Sequence, residues 1–321
     1  MTAQTTSRKK RWAKWAVLLI LTVATGFFAE ELFNHFDEIP SIHWDAAAWL
    51  AMVGTVGCML LNLTMGGLMW KALLKDQGTH LPAITAIRIV FVSQVAKYLP
   101  GNVGHLVGQV GLASAVGVPY SVSITTMLIS NLWLAAIGLC LGLLGLLLFL
   151  DTTALTHLPD IDAPEVIGVS LLAAVSPWIG IWVLNRFLPQ LSRSLGHGQL
   201  VSLPRLSTSF WVGIGFVISF FILGLMLKWQ AVHIFGVNEG DLLTLTLLFA
   251  SAWTAGYLLP GAPGGLGVRE AVSIALLTPI LGSGTAIGLS ITMRLATTIG
   301  DGMAFVFAMI LQRLEARSQL E

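Results

Sequence analysis

Charge is scarce in this chain. Of 321 residues, 17 are Lys or Arg and 16 are Asp or Glu, about 10%, where an ordinary soluble domain carries about 25%. So few charges cannot wet the surface of a soluble protein of this size. A large cytosolic catalytic domain is excluded as well, since no long stretch is polar enough to fold in water. Cysteine is nearly absent: Cys58 and Cys140 both sit in apolar runs, which excludes a disulfide scaffold. No Cys/His metal spacing occurs, and His157, His197 and His233 fall in loops without ligand partners nearby. No metal or cofactor is expected. The net charge is only +1 and the basic residues are scattered, which argues against a nucleic-acid partner. There is no HExxH, GxSxG or P-loop, and no nucleophile and base at workable spacing. The chain is expected not to be an enzyme.

What is present is apolar and unbroken. Hydrophobic residues make up 55% of the chain and the mean hydropathy is +0.83. The runs are continuous rather than alternating, so the spanning elements are helices and not barrel strands. Six spans of crossing length lie at about 13–29, 46–70, 120–150, 165–188, 206–228 and 283–311. Two further apolar stretches, 82–117 and 241–279, are each broken by Pro-Gly. The first span follows Arg8, Lys9, Lys10, Arg11 and Lys14. It has the outline of a cleaved signal peptide, but no A-x-A site follows it, so an uncleaved first helix is the preferred reading. With the N-terminus cytoplasmic, segments 1–14, 71–81, 189–205 and 312–321 fall inside. They hold twelve of the 17 cations, counting Arg186 at a helix end beside them. Segments 30–45, 151–164 and 229–241 fall outside and hold ten of the 16 acids. This distribution obeys the positive-inside rule. It indicates a multi-pass protein of the cytoplasmic (inner) membrane with both termini inside.

The two broken stretches resemble each other at an offset of 160. Leu99, Pro100 and Gly101 align with Leu259, Pro260 and Gly261, Gly104 with Gly264, and Pro119 with Pro279. Eleven identities fall between 99 and 136 without a gap. The offset divides the chain into repeats 1–160 and 161–321, forming one integrated membrane domain. Each repeat has three crossing helices and one broken stretch. An odd number of crossings turns the second repeat upside down, the arrangement used by many secondary transporters. A duplicated scaffold that transports nothing is the plainer alternative. Each broken stretch reads as a re-entrant helical hairpin; the competing reading makes each one two full crossings. Irregular backbone at membrane depth requires protein or a water-filled cavity around it, so a cavity is implied at the turns.

Candidate binding residues follow from that geometry. Gly101, Gly104, Gly261, Gly264 and Gly265 leave bare backbone where second arms begin, so that an anion such as a phosphate can approach. Glycines in membrane helices also serve close packing. Charges at membrane depth are the sharper signal, because an unpaired buried charge is expensive. Lys97 lies three residues before the first Pro-Gly. Arg269 and Glu270 follow the second turn, and Arg294 and Asp301 lie seven apart on the last helix. The structural alternative has Arg269 or Arg294 simply bridging to Glu270 or Asp301. Gln94, His105, Gln109, Asn62 and Asn131 add polar groups in apolar context, while Arg88 reads equally well as a snorkelling anchor near the inner mouth.

At KYLPGNVG (97–104) and PGGLGVRE (263–270) the chain resembles the lysylphosphatidylglycerol synthase transmembrane-region family, also called the flippase-like domain family. The resemblance in layout covers nearly the whole chain, and the second motif is the more specific. It implies movement of a lipid across the membrane. Together with the reading of the turns and the charges at membrane depth, the candidate substrate-binding set is Lys97, Pro100, Gly101, Asn102, Gly104, His105, Pro260, Gly261, Gly264, Gly265, Arg269, Glu270, Arg294 and Asp301. The bifunctional synthases of the family also carry a cytosolic aminoacyl-transferring domain. This chain is expected to be a stand-alone member without it. The expected partner is a membrane lipid with a phosphate headgroup, a phospholipid or a polyprenyl-phosphate-linked lipid, moved by alternating access of the opposed hairpins. Two alternatives remain: a small-anion secondary transporter, and a non-transporting partner of an envelope glycosyltransferase or lipid-modifying enzyme.

Overall fold

In the computed structural model, residues 44–98, 104–149, 163–195, 200–259 and 263–318 are described, with 30, 33, 42 and 198 as isolated positions. The expected first span, 13–29, lies outside the described residues. Every regular element among the described residues is helical: α1 (Ala46–Asp76), α2 (Ala83–Gln94), α3 (Gly104–Ala115), α4 (Tyr120–Phe149), α5 (Ala163–Phe187), α6 (Pro189–Leu195), α7 (Leu206–His233), α8 (Leu242–Leu258), α9 (Val268–Leu281) and α10 (Ser283–Ser318). Short 3-10 turns at Val95–Tyr98 and Pro263–Gly265 lie within the two broken stretches, next to their Pro-Gly breaks.

Five of these helices, α1, α4, α5, α7 and α10, are long and apolar enough to cross a membrane. The arms of the broken stretches are shorter. α2 and α3 have 12 residues each, α8 has 17 and α9 has 14, so the longest α-helical arm reaches about 25 Å. Local chemistry sets the ends. Asp45 and Asp241 cap α1 and α8 through their side chains, accepting from the backbone N–H of Ala48 and Thr244. Gly117 and Gly282, at φ 86° and 79°, turn the chain into α4 and α10.

The core is held by close helix contacts in regular register. α1 runs antiparallel to α7: Gly54 packs on Trp229, Asn62 donates to the Ser219 carbonyl, Gly215 receives Met69, and Asp76 accepts from the Arg205 N–H. α4 runs antiparallel to α8 along Gly138, Gly142 and Gly145. There an added Cβ would meet Thr254, Ser251 and Leu247 at 3.0 Å or less. Small residues let these backbones approach without a layer of side chains between them.

Packing partners come in pairs related by the sequence offset. α1 packs on α2 as α7 packs on α8. α4 packs on α8 as α10 packs on α2, and α1 packs on α10 as α7 packs on α4. A fully buried polar link, Thr55–Gln230–Thr292, ties α1, α7 and α10 at 3.2 and 2.8 Å. Facing outward are apolar side chains, among them Leu171, Leu172 and Trp182 of α5. A crossing helix with such a surface meets lipid there.

Candidate functional site

The site is organised by α10. Arg294 and Asp301 are two helical turns apart, on one face and about 10 Å apart along the axis. Their midpoint lies close to Thr298, midway along the apolar stretch Ser283–Arg313. Each meets a different broken stretch. Asp301 Oδ2 is 2.5 Å from Lys97 Nζ and accepts a 2.6 Å hydrogen bond from the Tyr98 hydroxyl. Arg294 Nη1 donates to the Gly264 carbonyl at 2.8 Å and approaches Glu270 Oε1 at 3.4 Å. The two 3-10 turns, Val95–Tyr98 and Pro263–Gly265, touch one another beside this face. Two cations approach the Tyr98 ring, Lys97 and Arg294 at 5.5 and 5.9 Å from its centroid.

Glu270 has three partners. Oε1 faces Arg269 at 3.6 Å as well as Arg294, and Oε2 accepts from the Gly267 backbone N–H at 2.8 Å. The acid therefore closes the N-terminus of its own helix, α9, while holding two arginines. This bears on the turn glycines. α9 begins at Val268, not at the Pro-Gly, because Gly264, Gly265 and Gly267 at φ 58°, 74° and 83° first carry the chain through left-handed backbone. The Gly267 amide is then taken by Glu270, and the Gly264 carbonyl by Arg294. A Cβ at Gly264 would sit 3.2 Å from Arg294 Nη2, and one at Gly256 would sit 2.9 Å from the Arg269 Cβ. These glycines make room for arginines.

A cavity of about 250 Å³ lies against this cluster. Lys97, His105, Gly264, Gly265, Arg269 and Arg294 of the candidate set line it, and among the described residues no Asp or Glu does. The acids stand behind the cations: the side chains of Asp301 and Glu270 are 1% and 7% exposed, against 13–20% for those of Lys97, Arg269 and Arg294. With three cations and two acids the cluster has a net charge of +1, and the positive members face the open space. Gly104 opens α3, the helix that carries His105. Pro100, Gly101, Asn102, Pro260 and Gly261 lie outside the described residues. Two buried atoms, Asp301 Oδ1 and His105 Nδ1, have no hydrogen-bond partner among the described residues.

The structural alternative drawn from the sequence had Arg269 or Arg294 bridging to Glu270 or Asp301. Glu270 meets both arginines; Asp301 holds Lys97 and Tyr98 instead. The seven-residue spacing put Arg294 and Asp301 on one face but could not say that this face meets both broken stretches. Tyr98 was missed, although it stands inside KYLPG beside Lys97. So were Trp253 and Tyr257, which line the cavity and stack at 4.9 Å. Tyr257 lies 160 residues after Lys97, a signal available in the repeat. Its hydroxyl donates to Asn131 Oδ1 across α4 and α8.

The family model described as the lysylphosphatidylglycerol synthase TM region matches residues 12–302, nine-tenths of the chain, and the chain belongs to that family. None of the curated proteins matches it. It is a multi-pass membrane protein of a lipid-related family.

Proposed function

We propose that this member of the family moves a phosphate-bearing lipid across the membrane. The observation that carries the reading is the cavity wall: Lys97, Arg269 and Arg294 face one space beside the middle of the apolar stretch of α10 while their acids stand behind them. Such a wall neutralises an anion where a bare phosphate would otherwise be prohibitively expensive. The headgroup passes through the cavity while the tails stay in lipid. The antiparallel pairing of α1 with α7, which are repeat equivalents, supports the inverted repeat, in which the two broken stretches are opposed. α10 then couples the two, since one face of it holds Lys97 of the first and the Gly264 turn of the second. Alternating access follows if these contacts form in turn.

The test is lipid flux in proteoliposomes with headgroup-labelled phospholipid and polyprenyl phosphate, comparing the parent with Lys97→Ala and Arg269→Ala. Flux that requires both cations establishes the translocator. Flux of inorganic phosphate or another small anion, with no lipid moved, establishes the anion transporter. Inactivity toward both, with specific co-purification of an envelope glycosyltransferase, supports the non-transporting partner.

A further inference from the structure

Beyond the three cations, the wall of the cavity carries several neutral hydrogen-bonding groups. Four carboxamides line it: Asn62, Gln94, Gln109 and Asn131. Two are accounted for by the fold. Asn62 donates to the Ser219 carbonyl, and Asn131 donates to Met127 and accepts from Tyr257. Gln94 and Gln109 make no hydrogen bond among the described residues, yet both face the cavity. Gln94 lies one turn before Lys97 on the same broken stretch. Gln109 occupies the position that Arg269 holds in the second repeat. Trp253 and Tyr257 stack in near-parallel planes, 14° apart, and also line the cavity.

A bare phosphate needs only the cations. Free carboxamides offer paired donors and acceptors, which match vicinal hydroxyls. Aromatic faces accept the C–H edges of a sugar or cyclic polyol, a weak but area-covering contact. An ammonium headgroup is disfavoured by the same wall, because it would enter beside three cations with no carboxylate among the described lining residues to meet it.

Building on the lipid-translocation reading, we propose that the headgroup taken here is a phosphate joined to a hydroxyl-rich group, a sugar or cyclic polyol, and that Gln94, Gln109 and the Trp253–Tyr257 pair recognise the hydroxyl-rich part while Lys97, Arg269 and Arg294 take the phosphate.

The experiment is equilibrium binding to the purified full-length protein in detergent, followed by tryptophan fluorescence. Three short-chain lipids with identical tails are compared: a phosphatidylinositol, a phosphatidate and a phosphatidylethanolamine. The inositol lipid is expected to bind about tenfold tighter than the phosphatidate, the gain from two or more added hydrogen bonds. The ethanolamine lipid is expected to bind weakest. Gln109→Leu should erase the tenfold preference and leave phosphatidate affinity within about twofold, which also reports that the variant is folded. Gln94→Leu provides the second variant. Equal affinity for all three lipids, or preference for the ethanolamine lipid, overturns the inference and leaves the phosphate site standing. Preference for the inositol lipid without flux of any lipid in proteoliposomes keeps the headgroup class and removes translocation. No binding of any of the three overturns both.

Discussion

At the scale of single residues, the Lys97–Asp301 pair is where burial is most demanding. Asp301 is fully buried and has one oxygen in use by both Lys97 and Tyr98. Removing one partner of a buried pair leaves an uncompensated charge and costs about 3 kcal/mol. Asp301→Ala is therefore expected to lower the thermal unfolding midpoint in detergent by several degrees. Lys97→Met added to it should restore most of that loss, because the orphaned cation is then gone. No recovery in the double variant would mean that Tyr98, not Lys97, is the partner that matters. Arg294 is a different case. Its guanidinium serves the Gly264 carbonyl and Glu270 at once, a forked task that a lysine ammonium performs poorly. Arg294→Lys is expected to keep the charge and the fold but cut lipid flux at least tenfold. These charges were legible as sequence, standing out against apolar surroundings at Lys97, Arg269, Glu270, Arg294 and Asp301. Their pairing was not, since a one-dimensional spacing gives the face of a helix but not what crosses it. The phenol of Tyr98 gave no signal for the same reason: a tyrosine next to a turn has many uses.

At the scale of elements, two contacts carry testable weight. The first is the glycine stripe of α4 against α8. At Gly145 a Cβ would sit 2.8 Å from the Leu247 backbone, where no rotamer change relieves it. Gly145→Val is expected to push α8 away and destabilise by about 2 kcal/mol or more. Gly111→Ala, where a Cβ meets nothing within 4 Å, should be neutral; both are read as unfolding midpoints. The second is the start of α8. Thr244 donates both its backbone N–H and its hydroxyl to Asp241, and these bonds hold the Asp241 carboxyl below its ordinary range. A depressed folded-state pKa means that the cap stabilises fully above the unfolded carboxylate pKa and fades as pH falls through the folded value. Asp241→Asn keeps a capping oxygen and should remove that acid-side fading; Asp241→Ala should cost about 1 kcal/mol at neutral pH. Both follow from unfolding midpoints measured across an acid titration. The five long helices were readable as unbroken apolar runs. The broken stretches were readable as broken, because Pro-Gly cannot continue a helix. Where α9 begins was not readable: three left-handed glycines postpone it past the turn, and glycine count alone does not give the sign of φ.

At the scale of the whole molecule, the scaffold and the chemistry differ in symmetry. The packing pairs repeat at the sequence offset, yet the charges do not: the positions 160 residues before Arg269, Glu270, Arg294 and Asp301 are Gln109, Val110, Leu134 and Leu141. A pseudo-symmetric frame therefore presents a cationic half and a neutral, hydrogen-bonding half to one cavity, with Lys97 the single charge the first repeat contributes to that wall among the described residues. The frame also fixes which chain ends share a side. Gln77 and Ser202 exchange hydrogen bonds, at 3.3 and 3.0 Å, where α1 ends and α7 is about to begin. At the other end of the same pair, Lys228 donates to the Asn238 carbonyl near the start of α1. Because α1 and α7 both cross, these two groups must lie on opposite faces of the membrane. With Cys58 and Cys140 first changed to serine, single cysteines at Gln77 and Ser202 should react with a membrane-impermeant thiol reagent from one side, and cysteines at Trp44 and Asn238 from the other. The charge distribution sets the sign: Gln77 and Ser202 should label only in inside-out vesicles, since their segments carry the basic residues. Gln77 labelling on the opposite side from Ser202 would break the antiparallel frame and the proposed inverted repeat with it. All four positions labelling with the sides reversed would keep the frame and overturn only the orientation.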